Sequence, residues 1–196
     1  MKPIAFSLRF PENEILQWAS RYSYASDGEL ENVIAPAVQA RGYFTKSEFL
    51  ALCHWKSPRT GPRCAENQEG FVTEVTRTAL ASPDERLRIE VLTLLRGVDW
   101  PTASVILHFG FKDLYPILDF RALWSLEIED APAHDFAFWS SYTSHCRTLA
   151  QRARVTMRVL DCALWQYSKE QQPSRRATAN PVRGTRRKRR APERQR

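Results

Sequence analysis

Apolar positions recur three and four residues apart along most of the chain, which paints a stripe on a helix, and no strand-like alternation persists beyond four residues. Ile15, Leu16, Trp18 and Ala19 open a first helix after Pro11, and a second runs from about Glu29 to Ala40. Thr45-Lys46-Ser47-Glu48 is a capping box, in which the Thr hydroxyl and the Glu carboxylate each satisfy a free amide at a helix start. It opens a helix carrying Phe49, Leu50, Leu52, Cys53 and Trp55 that stops at Ser57-Pro58. The stretch from Ser57 to Gln68, with its prolines, glycine and arginines, predicts a loop, and another helix covers Glu69 to Leu80. Ser82-Pro83-Asp84-Glu85 predicts a start with Ser82 as cap and Pro83 at the first helical position. That helix places Leu87, Val91, Leu94 and Leu95 on one stripe and ends at Gly97. After Trp100-Pro101 a short apolar helix reaches about Phe109, a loop passes through Tyr115-Pro116, and a helix covers Asp119 to about Leu126. A last helix or pair runs from about His134 to Tyr167. The fold class is all-α, without internal repeats.

Charge divides the chain. Ser168 to Arg196 holds 11 Lys or Arg and two Glu, a net of +9, which leaves 18 basic and 20 acidic residues before it, a net of −2. Residues 1–168 therefore read as one helical domain and residues 169–196 as a disordered basic tail with almost nothing to bury. Within the tail, Arg186, Arg187, Lys188, Arg189 and Arg190 have the density of like charge that draws a segment to DNA through counterion release. A solubilising or localising tail without a specific partner has the same composition. The body is not basic, so any DNA binding by it comes from local geometry.

Cys53, Cys64, Cys146 and Cys162 show no CxxC pair and read as reduced, mostly buried thiols. Cys53-His54 and His145-Cys146 have ligand types for zinc without a metal-site spacing, so no metal or other cofactor is expected. No charged start leads into an apolar signal core and no window reaches 18 apolar residues. The expectation is a cytoplasmic, nucleoid-associated monomer with no membrane contact.

Between two of the apolar helices stands Leu94-Leu95-Arg96-Gly97-Val98-Asp99-Trp100-Pro101-Thr102-Ala103. This LxGVxxxTAxxxL pattern resembles the hairpin of the helix-hairpin-helix (HhH-GPD) DNA glycosylase superfamily, written LPGVGxKTAxxxL. In that family an essential Asp follows the hairpin Lys position by eighteen residues, at a helix start. Here the Lys position is Pro101, and eighteen residues on stands Asp119, in Ile117-Leu118-Asp119-Phe120-Arg121. The resemblance covers roughly thirty residues, Leu95 to Leu126. It implies that the turn amides and following helix start, around Gly97, Val98, Asp99, Trp100 and Thr102, face a DNA phosphate, where Gly97 lets the backbone approach closely. It also implies that Asp119 stabilises the cationic sugar that develops as a flipped base departs, and helps to orient water.

The chain departs from the family at several positions. Pro101 replaces the Lys that some members use as Schiff-base nucleophile, so strand cleavage by that route is not expected. Asp99 stands where a second Gly is usual; its charge opposes a phosphate, and it can instead cap the next helix. The family's His and Arg after the Asp become Arg121 and Trp124, and the iron–sulfur cysteines are missing. Lys56 and Arg59, beside Trp55, have three readings: phosphate contacts, an amine nucleophile in Lys56, or a solvated helix end. Tyr22 and Tyr24 can stack on an extruded base or simply pack. Trp100 fits a DNA strand or the neighbouring helix equally well. His54, His108, Trp139 and Trp165 read as core. The implied function is a DNA-binding, monofunctional base-excision glycosylase. Its alternatives are a non-enzymatic hairpin protein that lost the pocket, and a protein-interaction module whose tail alone touches nucleic acid. An aromatic-lined cavity reaching Asp119 separates the first from the others.

Overall fold

Helices begin where a short polar side chain can occupy the free amides of a first turn. Thr45 completes its capping box with Glu48, and Asp84, Asp119, Asp135 and Thr156 accept from backbone amides in the first turns that follow them. The computed structural model describes residues 4–24 and 27–173. In chain order its main helices are α1 Ile15–Ser20, α2 Asp27–Glu29, α3 Ala35–Arg41, α4 Lys46–Lys56, α5 Gly61–Ala65, α6 Glu69–Ala81, α7 Glu85–Leu92, α8 Trp100–Gly110, α9 Phe120–Ser125, α10 Phe136–Ala153 and α11 Met157–Gln171. A π-helical turn, Leu30–Ile34, joins α2 to α3, and 3-10 turns precede α1 and α5. No strand occurs among the described residues, and no helix there is long and apolar enough to cross a membrane.

The centre of the protein is α8. Eight of its residues, from Thr102 to Gly110 with His108 excepted, are buried, because α3, α4, α6 and α7 all pack on it. Gly110 is required by this crowding: a Cβ there would stand 2.5 Å from Leu80 Cδ2. A second layer forms around α11, which packs on α1, α9 and α10. The extended segment before α1 closes that layer, with the amides of Ser7 and Arg9 bonded to the carbonyls of Leu126 and Ser125.

Four sequence expectations change. The cap of α7 is Asp84, which accepts from the Leu87 amide, whereas Ser82 bonds Asp84 one turn earlier. The buried stripe of α7 and its C-terminal turn is Ile89, Leu92 and Leu95, while Leu87 and Leu94 are 46% and 61% exposed. The three-and-four spacing fits either apolar face, and packing on α8 turns the Ile89 and Leu92 face inward. The segment 57–68 is not all loop, since it holds a 3-10 turn and α5. Finally α11 continues to Gln171, so the first residues assigned to the basic tail are helical; Arg186 to Arg190 lie outside the described residues.

Candidate functional site

Asp119 is held from three helices. In the loop leading to it, the Leu118 amide donates to Ser104 Oγ of α8 at 2.8 Å, and Tyr142 of α10 donates to the Ile117 carbonyl at 2.8 Å. The Ile117 amide donates to Asp161 Oδ1 of α11 at 3.2 Å. One turn up α8, His108 Nδ1 lies 2.7 Å from the Tyr115 carbonyl and therefore carries the proton. Burial lowers the His108 pKa to about 4, so the ring is neutral and only structural. The carboxylate of Asp119 then makes two contacts. Oδ1 accepts from the Arg121 amide at 2.9 Å, capping α9, and Oδ2 meets Lys56 Nζ of α4 at 2.7 Å. Their side chains are only 18% and 10% exposed.

This ion pair opens onto a cavity of about 490 Å³, within the range of sites that hold a small organic ligand. One wall is Tyr22, Tyr24 and Trp165, whose rings meet at centroid distances of 5.1 to 5.5 Å, both tyrosines edge-on to the indole. The facing residues come from α4: His54, Trp55 and Lys56. Asp27 ties the two sides together from behind. It accepts from Tyr22 Oη at 2.7 Å and from Trp55 Nε1 at 2.7 Å, and pairs with Arg158. Burial and the adjacent Asp27 carboxylate raise the pKa of Tyr22, so its hydroxyl is a fixed donor. The floor adds Arg158 and Asp161 of α11. Burial pushes the Asp161 carboxyl up to about 7, against the opposing pull of Arg158, the Ile117 amide and Lys56.

The cavity gathers some predicted residues and excludes others. Asp119 lies in it. Lys56 is no solvated helix end but a pair-forming cation on its wall, and so an amine does stand beside Asp119 although Pro101 offers none. Arg121 lies just outside, its guanidinium 5.2 Å from the Trp165 ring. Arg59 is exposed and makes no contact with the pair. Trp165 and His54, expected in the core, line the cavity, and His54 is exposed. Trp139 is buried as expected. Lys169, assigned to the tail, sits 5.1 Å from the Tyr24 ring and 5.2 Å from Trp165.

The hairpin turn between α7 and α8 differs in detail from its expectation. Gly97 has φ +81°, and a Cβ there would meet Cys64 Sγ at 2.7 Å and the Cys64 amide nitrogen at 3.0 Å. The glycine is demanded by α5 packing on the turn as well as by its left-handed backbone. Val98 and Thr102 are buried and offer no side chain to a partner. Asp99 is exposed and caps α8 through the Trp100 amide at 2.8 Å, while Trp100 leans on Trp139 with centroids 6.5 Å apart. The amides of Arg96 and Val98 are also taken, by Asn67 Oδ1 and the Leu95 carbonyl. Only the amides of Gly97 and Asp99 within the turn have no partner among the described residues, a smaller anion cradle than the motif suggests.

The four thiols are free. Among the described residues no group of three His, Cys, Asp or Glu stands close enough to hold a metal ion. Asp161, Arg158 and Asp27 were not legible as site residues; each is one polar residue in a helical stripe, without a motif around it. Comparison of the chain with protein-family models, curated proteins and solved structures finds no match in any of the three.

Proposed function

We propose that the chain is a DNA base-excision glycosylase of helix-hairpin-helix type, and that the cavity beside Asp119 receives a flipped base. The observation that carries this reading is the Asp119–Lys56 pair, 2.7 Å apart, at the edge of an aromatic-walled cavity of nucleobase-binding size. A protein that kept the hairpin and lost its chemistry has no use for such a cavity. A base extruded from a duplex can lie between the Tyr22–Tyr24–Trp165 wall and the α4 wall, where stacking offsets part of the cost of leaving the helix. Asp119 then faces the sugar, and its negative charge stabilises the developing oxocarbenium ion. The α9 cap and Lys56 each engage one oxygen of the carboxylate and together fix its direction. The few free amides of the hairpin and the basic tail supply phosphate contacts, the tail without sequence preference. DNA is thus the proposed partner, with the protein acting as a monomer.

A second reading is favoured by the same contact. Lys56 is a primary amine at the reacting centre, brought from α4 in place of the hairpin position that holds Pro101. As the ammonium paired to Asp119 it is an electrostatic partner and base release is monofunctional. If it instead gives up its proton it can attack the sugar C1′, breaking the bond to the base, which leaves with its electron pair and takes up a proton; cleavage of the C1′–O4′ bond, with the remaining amine proton passing to O4′, then gives an imine. One experiment serves both readings. Duplexes carrying single modified bases, and one carrying an abasic site, are incubated with the full chain; half of each sample is treated with alkali and half with borohydride. We expect at least one modified duplex to be cut only after alkali, and no covalent complex. Borohydride-trapped protein that disappears in Lys56→Met establishes the second reading. Intact strands in every modified duplex after alkali would refute the glycosylase proposal.

A further inference from the structure

We infer that Asp161 selects the ligand of this cavity, its free carboxylate oxygen accepting from a guanine-type edge, a ring N–H beside an exocyclic amino group. The inference rests on the reading of the cavity as a base pocket, and it concerns which base that pocket prefers.

Asp161 is 7% exposed and lines the cavity. Its Oδ1 is committed to the Ile117 amide, two residues before Asp119, so the position of the carboxylate is fixed relative to the reacting end of the site. Its Oδ2 accepts no hydrogen bond among the described residues. The nearest cation, Arg158 Nη1, stands 3.9 Å away, beyond hydrogen-bond reach. That guanidinium is already engaged: Nη2 bonds Asp27, and Nε donates to Glu31 at 2.6 Å. The charged form of this buried residue is costly, and burial has accordingly raised the acid to about 7. A ligand that supplies N–H donors at Oδ2 relieves that cost, so the site favours ligands that carry them.

The arrangement discriminates among nucleobases by electrostatics. Adenine and cytosine present an amino group next to a ring nitrogen acceptor, and thymine presents one N–H between two carbonyls. Each sets an acceptor lone pair against the carboxylate. Guanine alone among the four presents two adjacent donors. The nearby charged and titratable groups on the packed elements are Lys56 on α4, Asp119 before α9, Arg158 and Cys162 on α11, and Cys146 and Tyr142 on α10. Burial raises both thiols and the phenol, so they stay neutral, and the two cations oppose the burial that raises the Asp161 carboxyl.

The test measures quenching of tryptophan fluorescence, since Trp55 and Trp165 line the cavity. Deoxyguanosine, 1-methyldeoxyguanosine (which lacks the ring N–H) and deoxyadenosine are titrated into the full chain. We expect deoxyguanosine to bind about tenfold or more tightly than either of the others, as loss of a hydrogen bond to a charged group requires. In Asp161→Asn, which keeps an acceptor for the Ile117 amide, the preference should fall below about threefold. The comparison within wild type needs no variant and survives any folding defect. Equal binding of the three nucleosides, no quenching by any of them, or a preference that persists in Asp161→Asn overturns the inference. Base release is read separately: nucleoside preference without base release leaves Asp161 assigned and removes the glycosylase reading. Base release without preference does the reverse.

Discussion

Replacing Asp119 by Asn separates its cap from its charge. Asn keeps an oxygen for the Arg121 amide, so the cap of α9, worth about 1 kcal/mol, is retained. What is lost is the negative partner of Lys56, whose side chain is 10% exposed. Removing one partner of a fully buried pair costs about 3–5 kcal/mol. This pair borders a cavity that water enters, so part of the stranded charge is solvated, and about 2–3 kcal/mol is the expected loss. For a helical body of this length that corresponds to a melting point lowered by roughly 5–10 °C. Lys56→Met should cost a similar amount, and the double variant should recover most of it, because neither charge is then left alone. Urea unfolding of the four proteins gives the coupling directly, expected at about 2 kcal/mol. Additivity of the two single effects to within about 0.5 kcal/mol would show that the 2.7 Å contact has no energetic meaning.

Gly97→Ala should destabilise by about 3 kcal/mol or more, since it adds left-handed strain to a collision with the α5 backbone, and Cys64→Ala should not rescue it; a loss below about 1 kcal/mol in thermal unfolding contradicts the packing role of this glycine. Asp161 has a folded pKa of about 7 against an ordinary 3.8, so the folded protein holds its proton more tightly. The stability it confers is full below about 4 and is lost as pH rises through about 7, by up to roughly 4 kcal/mol. Asp161→Asn should therefore gain on wild type between pH 5 and pH 8 in unfolding titrations, and parallel pH profiles for the two proteins would contradict this. Truncation after Pro173 should leave the melting point unchanged and flatten the salt dependence of duplex binding, because the net +9 of the tail region outweighs the −2 of the body; an unaltered salt slope places the phosphate contacts elsewhere.

Helix positions were legible because their starts carry local signals: the capping box at Thr45 and Glu48 and the Asp119 cap both lie within a few residues of the amides they satisfy. Which face turns inward was less legible. On α7 the same three-and-four spacing serves Leu87 and Leu94 as well as Ile89 and Leu92, and only packing on α8 chooses between them. That Asp119 stands at a helix start could be read from the sequence. Its partner could not, since Lys56 precedes it by 63 residues and meets it only once α4 packs on α8. Trp165 repeats at helical spacing with core residues, so the periodicity hid a cavity wall. Asp27 and Asp161 gave no signal, because a buried acid is marked by its partners rather than by its neighbours in sequence.

Asp119 is proposed to stabilise a departing sugar cation. The most direct measurement of this role is the single-turnover rate of base release by wild type and Asp119→Asn, on whichever modified duplex wild type acts upon, with duplex binding followed alongside. Equal binding is expected, with a rate about 100-fold lower or more in the variant, the usual loss when an electrostatic stabiliser is neutralised. Base release by Asp119→Asn at the wild-type rate would contradict this role.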